Sequence, residues 1–146
     1  MTFENYKYTR PNLEETSKEL LDIEKRVLDA ASAKDVLAVF DEYNTLRRDL
    51  ETQSVLVEIR HTINTTDSFY EEEQNFWDDY KPELTALYSK VDKAIYDTLL
   101  RRIKVIPAKY KVVKLILFSL SGFTDWFDTL SDEKLELITL KDIYHW

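Results

Sequence analysis

Residues 13–31 read LEETSKELLDIEKRVLDAA, and this stretch decides the fold class. Its apolar residues recur at intervals of seven: Leu13, Leu20 and Val27, with Leu21 and Leu28 beside them. That spacing gathers apolar side chains on one side of an α-helix and leaves charged side chains on the other. Asn12 can accept a backbone N–H as an N-cap. We therefore predict an amphipathic helix over residues 13–31 that begins after Asn12.

Two further segments carry helical spacing. Ser32 predicts the start of a second helix that runs as far as Ile59, and residues 62–66 predict a turn because their Thr and Asn side chains compete for backbone partners. Thr66 then caps a third helix, which Pro82 breaks or restarts. The buried face of the second helix is assigned to Val36, Val39, Phe40, Tyr43, Leu46 and Leu50. We predict an all-α antiparallel bundle of three to four helices.

The composition changes near residue 98. Residues 1–97 hold 22 acidic and 12 basic residues, whereas residues 98–124 hold six basic residues and no acidic one. Helical periodicity is lost over residues 103–113, although the apolar residues after 125 indicate one or two short terminal helices. We divide the chain into a helical domain, residues 1–100, and an irregular C-terminal tail, residues 101–146. We interpret this tail as divergent, out of frame or non-native, and expect it to bury its apolar residues poorly.

The composition excludes several classes of protein. One glycine in 146 residues argues against glycine-rich nucleotide loops, and the lack of cysteine excludes disulfides and thiolate metal sites. A net charge of −8 argues against nucleic-acid binding. The longest charge-free run in the apolar region, residues 115–124, is too short to cross a membrane, so we expect no membrane partner. The polar N-terminus lacks the pattern of a secretory signal, which favours the cytoplasm.

The sequence predicts no catalytic, metal-ligating or cofactor-binding residue. His61 and His145 are too far apart in sequence to form a His-Glu-x-x-His zinc motif, and His61 is expected to interact with carbonyls at a helix end. Paired carboxylates such as Glu71 to Glu73 are assigned to a solvated face. The aromatic leader, residues 2–11, contains Phe3 and places Tyr6 and Tyr8 off every helical stripe. These two tyrosines are candidates for a contact surface.

Two stretches carry a family resemblance. The leader FENYKYTRP at residues 3–11 and the stretch IRHTINTTDSFY at residues 59–70, followed by Glu73 and Gln74, resemble the N-terminal region of the oligoendopeptidase F family of zinc metallopeptidases. The resemblance covers roughly residues 3–95. It implies an all-helical cytoplasmic peptidase of several hundred residues, in which N-terminal helices form a wall of the groove that admits short peptides. The family's zinc ligands belong to a catalytic half without a counterpart here.

On this resemblance the chain is expected to be an N-terminal fragment that is catalytically inactive alone, with zinc in the intact enzyme only. Tyr6, Tyr8, Arg60 and His61 are the candidate contacts to a peptide groove or an interface. The expected partners are the missing catalytic half or short peptides, and the apolar tail suggests self-association. A free-standing helical module that binds a partner helix is the alternative.

Overall fold

The computed structural model describes residues 6–119 and 122–144, and three long helices dominate this part of the chain. Helix α1 spans Leu13–Asp29, α2 spans Ala33–Ile63 and α3 spans Ser68–Ile103. The remaining elements are strand β1 (Leu115–Ser119), a 3₁₀ turn (Asp125–Thr129), strand β2 (Leu135–Thr139) and the short helix α4 (Leu140–Ile143).

Polar side chains fix where each long helix begins. Asn12 accepts the backbone N–H groups of Glu14 and Glu15, as the sequence predicted. Ser32 and Asp35 form a reciprocal capping box at the start of α2. The predicted cap of α3 was wrong by one residue. Asn64 accepts hydrogen bonds from Thr66, which leaves Asp67 to accept the N–H of Phe69 and to begin the helix.

Two predicted boundaries fall inside helices instead. Helix α2 continues past Ile59 to Ile63, and the hydroxyl of Thr62 bonds the carbonyl of Glu58 within the helix, so the turn is shorter than predicted. Helix α3 runs through Pro82 without a break. A proline in a helix interior costs about 3 kcal/mol. Burial of Tyr80 and Leu84 on either side of Pro82 offsets this cost.

The three long helices pack in an up-down-up arrangement. The Tyr43 hydroxyl of α2 reaches Asp92 near the end of α3, whereas Val57 of α2 lies beside Trp77 near the start of α3, so these two helices are antiparallel. Helix α1 runs in the direction of α3, since Ser17 bonds Glu83 and the Val27 carbonyl accepts a hydrogen bond from Thr98. The core between them contains Leu20, Ile23, Val27, Val39, Tyr43, Leu50, Val57, Trp77, Tyr80, Leu84, Leu87, Tyr88, Val91 and Ala94.

Only part of each predicted apolar stripe is buried. In α1 the buried apolar residues are Leu20, Ile23 and Val27, while Leu21 and Leu28 lie exposed. At about 100° per residue, Ile23 shares a face with Leu20 and Val27, and Leu21 is rotated away from it. In α2, Val39, Tyr43 and Leu50 are buried, and Val36, Phe40 and Leu46 are half-buried.

The tail contains a small sheet that the sequence did not predict. Strands β1 and β2 pair in parallel, and Leu115 lies opposite Leu135. The fold is therefore mostly helical with a two-stranded sheet, not all-α, and the stretch predicted as terminal helix after residue 134 begins as a strand. Short apolar runs do not distinguish strand from helix, which explains the error.

Some apolar residues of the tail are buried against the bundle, and others are exposed. Leu115 and Phe127 are buried, and the 3₁₀ turn packs its Trp126 and Phe127 rings against Tyr96 of α3. Val105 and Val113 are exposed. Among the helices of the described residues, none has both the length and the apolar character that a membrane crossing requires.

Adjacent leucines of α1 test the packing. Leu20 is 1% exposed and Leu21 is 43% exposed. We expect Leu20→Ala to lower the free energy of unfolding by about 2 to 5 kcal/mol because it leaves a cavity, and Leu21→Ala to change it by less than about 0.5 kcal/mol. Urea denaturation measures both. Equal losses would contradict the assignment of the core face.

Amide hydrogen exchange tests the tail. Among the described residues, strand β1 pairs with β2 alone, and a two-stranded sheet is marginally stable by itself. We expect its amides to exchange faster than those of residues 20–27 in α1, which open only with the core. Equal protection of both segments would show that the tail and the bundle unfold as one unit.

Candidate functional site

The leader covers the part of the bundle that α1 is too short to reach. Helix α1 has 17 residues, whereas α2 has 31 and α3 has 36. At 1.5 Å per residue these lengths are about 26, 46 and 54 Å. The leader, described from Tyr6, lies against the second half of α2 and the first half of α3, where the Thr9 N–H donates to Gln53 Oε1 at 2.9 Å. It therefore takes the place of a longer first helix.

Glu73 of α3 anchors the leader. It is 5% exposed. Its carboxylate accepts a hydrogen bond from Arg10 Nε to Oε2 at 2.9 Å and another from the Tyr8 hydroxyl. The Nη2 of Arg10 forms an ion pair with Oε1 at 2.7 Å. The indole N–H of Trp77 donates to the Tyr8 hydroxyl at 3.2 Å. A buried carboxylate is stabilised when a cation and further donors satisfy it in this way.

Aromatic rings enclose this anchor. The Tyr8 ring meets Phe69 edge to face, with 6.2 Å between centroids, and the Arg10 guanidinium lies 4.4 Å from the centroid of Phe76. Cation–π and edge-to-face contacts of this kind each add a modest stabilisation. The leader is thus held by both polar and aromatic contacts.

The anchor has a defined charge state. Burial raises the pKa of Glu73, but hydrogen bonds from Arg10 and Tyr8 outweigh burial and hold the pKa below its ordinary value. Burial and the hydrogen bond to Glu73 raise the pKa of Tyr8 to about 12. At neutral pH Glu73 is therefore an anion and Tyr8 is a neutral donor.

Arg60 near the end of α2 holds the outer part of the leader. Its Nη2 donates to the Tyr6 carbonyl, and its Nη1 donates to the Tyr70 hydroxyl at 3.3 Å. Beside this contact a shallow groove of about 260 Å³ runs along α2. The groove is lined by Tyr6, Arg48, Glu51, Thr52, Val55 and Leu56.

The structure brings two of the four candidate contacts from the sequence together and places the other two in different surroundings. Arg60 bonds Tyr6, whereas Tyr8 belongs to the Glu73 anchor. His61 is half-buried, and its Nδ1 is buried without a hydrogen-bond partner among the described residues. Phe3 and His145 lie outside the described residues. No contact of these residues with a peptide is tested by the structure, and their role in a groove stays a prediction.

The burial of Glu73 was not predicted from the sequence. Glu73 was assigned to a solvated face, and the structure buries it. A signal was present, because Glu73 lies four residues after Phe69 and four before Trp77, on the apolar stripe of α3. An acidic residue on such a stripe is buried, so its carboxylate requires a hydrogen-bond donor. Arg10 supplies one.

The described residues do not fit a zinc centre. No group of three or more His, Asp or Glu side chains among them is arranged to hold a metal ion. His61 is the one histidine within that part of the chain. Catalytic zinc sites take three protein ligands that usually include histidines.

Substitution of the buried carboxylate tests the anchor. Glu73→Gln removes the charge that Arg10 and Tyr8 satisfy, so we expect the free energy of unfolding to fall by about 1.5 to 3 kcal/mol at pH 7. The exposed neighbour Glu72→Gln should change it by less than about 0.5 kcal/mol. Chemical denaturation measures both variants, and an unchanged Glu73→Gln variant would contradict the anchor.

The stability difference between wild type and Glu73→Gln should depend on pH. The pKa of Glu73 is lower in the folded state, so its contribution is fully present above the unfolded pKa of about 4.3 and is lost as the pH falls through the folded pKa. The stability difference between wild type and Glu73→Gln should therefore shrink below about pH 4. A difference that grows on acidification would have the wrong sign.

Comparisons with known proteins agree on one family. The model of the peptidase M3 N-terminal domain matches residues 3–103. A crystal structure of a protein assigned as oligoendopeptidase F is similar to this chain, with 29% identity and a TM-score of 0.64 over 70% of the chain. The chain spans 19% of the length of that protein. None of the curated proteins matches it. Since the family match covers more than half of its residues, the chain belongs to the peptidase M3 N-terminal domain family.

Proposed function

We propose that this chain acts as the N-terminal domain of an oligoendopeptidase F-type zinc metallopeptidase that hydrolyses short peptides. In this proposal the chain forms a wall of the substrate groove and is inactive alone. The rest of the enzyme supplies the zinc. The cytoplasmic location belongs to the same proposal. The match of residues 3–103 to the peptidase M3 N-terminal domain carries it.

An exposed apolar strip on α2 supports a partner domain. Val55, Ile59 and Ile63 recur every four residues on one side of the helix and are exposed, Ile63 by 76%. Exposed Phe69 lies just beyond the following turn. Contiguous exposed apolar residues of this kind are typical of protein–protein contacts. We propose that this α2 strip packs against the catalytic half.

The groove beside the leader supports a peptide contact. Val55 belongs both to the α2 strip and to the groove at Tyr6, so a catalytic half packed on the strip would close the groove from one side. The groove contains one basic residue, Arg48, and one acidic residue, Glu51. These can pair with the terminal carboxylate and the terminal ammonium group of a peptide. The Glu73 anchor keeps the leader wall in place, because a mobile wall would add the cost of ordering to peptide binding.

Complementation tests this function. We expect the purified chain with added zinc to leave a quenched fluorescent peptide uncut, and to restore cleavage when mixed with the remaining part of the similar oligoendopeptidase. Ile63→Asp places a charge in the α2 strip and should weaken this assembly at least tenfold, since burial of an unpaired charge is costly. Leu21→Asp, at an exposed leucine of α1, is the matched control. Peptide cleavage and analytical ultracentrifugation measure the two effects.

Three results would oppose the proposal. Zinc-dependent cleavage by the chain alone would contradict its inactivity. Equal effects of Ile63→Asp and Leu21→Asp would contradict the α2 strip as the contact. A folded monomer that never associates with the remaining part would favour the free-standing helical module.

A further inference from the structure

A larger cavity lies on the opposite end of the bundle from the leader groove. It measures about 460 Å³, within the range of small-molecule sites. Its walls come from the first half of α2, the last third of α3 and the tail around β1. The lining is mainly apolar: Val36, Leu37, Phe40, Ile95, Ile116, Leu117, Phe118, Phe123 and Phe127. Because the tail lies beyond residue 103, no property of the matched family domain accounts for this cavity.

A buried carboxylate forms one polar point in this cavity. Asp92 is 4% exposed and lines the cavity. Its Oδ1 accepts the Tyr43 hydroxyl at 3.3 Å, and its Oδ2 accepts the Thr124 N–H at 3.1 Å. No basic side chain of the described residues forms an ion pair with it. The nearby Arg47 guanidinium is directed to Glu51 and to the Gly122 carbonyl.

An unused acceptor lies on the α2 wall of the cavity. Asn44 lines the cavity one residue after Tyr43, and its Oδ1 is buried without a hydrogen-bond partner. A buried acceptor without a donor is unfavourable, and so is a buried carboxylate without a direct ion pair. The charge of Arg47 lowers the pKa of Asp92 by less than burial raises it. One ligand group with several N–H donors and a positive charge would satisfy both Asn44 and Asp92.

We propose that this cavity binds a small primary amine with an aromatic body, whose ammonium group donates hydrogen bonds to Asp92 and to Asn44 Oδ1. The aromatic body lies among the rings of Phe40, Phe123 and Phe127. The last two already meet edge to face at 5.1 Å. An alcohol of the same shape brings one donor and no charge, and a carboxylate ligand is repelled by Asp92. Discrimination between these three ligands is therefore the signature of the site.

Isothermal titration calorimetry tests the proposal with four probes. We expect 2-phenylethylamine to bind at least tenfold more tightly than 2-phenylethanol, and 3-phenylpropanoate not to bind. Methylamine carries the charge without the apolar body, and controls for attraction of any amine to a chain of net charge −8. Equal binding of methylamine and 2-phenylethylamine would overturn the proposal, as would equal binding of the amine and the alcohol or no binding of the amine.

Two variants locate the site. Asp92→Asn should weaken binding of the amine at least tenfold and change binding of the alcohol little, whereas Asp79→Asn, at an exposed acid of α3, should change neither. Burial raises the pKa of Asp92, so loss of its charge is compatible with folding. Asn44→Leu removes the unused acceptor. Asn44→Leu should weaken amine binding several-fold without lowering the melting temperature. This second variant tests the site even if Asp92→Asn does not fold.

Amide chemical shifts give a readout that is independent of affinity. Addition of 2-phenylethylamine should shift the amides of Ile116, Phe118 and Phe123, and should slow hydrogen exchange in β1. Asp41 lines both the cavity and the acidic groove between α1 and α2, so it does not distinguish them. Shifts confined to the part of that groove at Glu19, Glu42 and Asp49 would place the amine on the surface and overturn the proposal.

Discussion

The first helix is much shorter than the other two, and this difference in length determines how the leader packs. Helix α1 ends after 17 residues, so about half of the α2–α3 hairpin lacks a third helix. Exposed apolar surface on that half would be unfavourable. The leader covers it without regular secondary structure, and its Tyr8 and Arg10 supply the aromatic and polar contacts that helical side chains would otherwise provide. The leader and the three helices together form the domain.

Two buried carboxylates of α3 differ in their hydrogen-bond and ion-pair partners and in the direction of their pKa shifts. Glu73 is satisfied by a cation and a hydroxyl from the leader, and its pKa is held below the ordinary value. Asp92 receives neutral donors and no ion-pair partner among the described residues, and burial raises its pKa. The first carboxylate fixes the position of a wall, whereas the second faces a cavity that can accept a cation. One helix thus carries a structural site and a candidate binding site about five turns apart.

Helix positions followed closely from the sequence because N-caps and apolar spacing act locally. Asn12 and Ser32 begin α1 and α2 as predicted. Features that depend on distant partners did not follow. Pro82 was expected to interrupt α3, and packing on both of its sides keeps the helix continuous. Glu73 was expected in solvent, since its partners Tyr8 and Arg10 lie more than 60 residues away. The pairing of β1 with β2 is likewise non-local.

The leader is a fixed part of the bundle, held by Tyr8 against α3. The most direct measurement is the nuclear Overhauser effect between the indole N–H proton of Trp77 and the ring protons of Tyr8, which the hydrogen bond of 3.2 Å places close together. We expect strong cross-peaks in the wild-type chain, with further cross-peaks from Tyr8 to the ring of Phe69. Absence of both, in a chain whose α2 and α3 signals show a folded hairpin, would contradict this position of the leader.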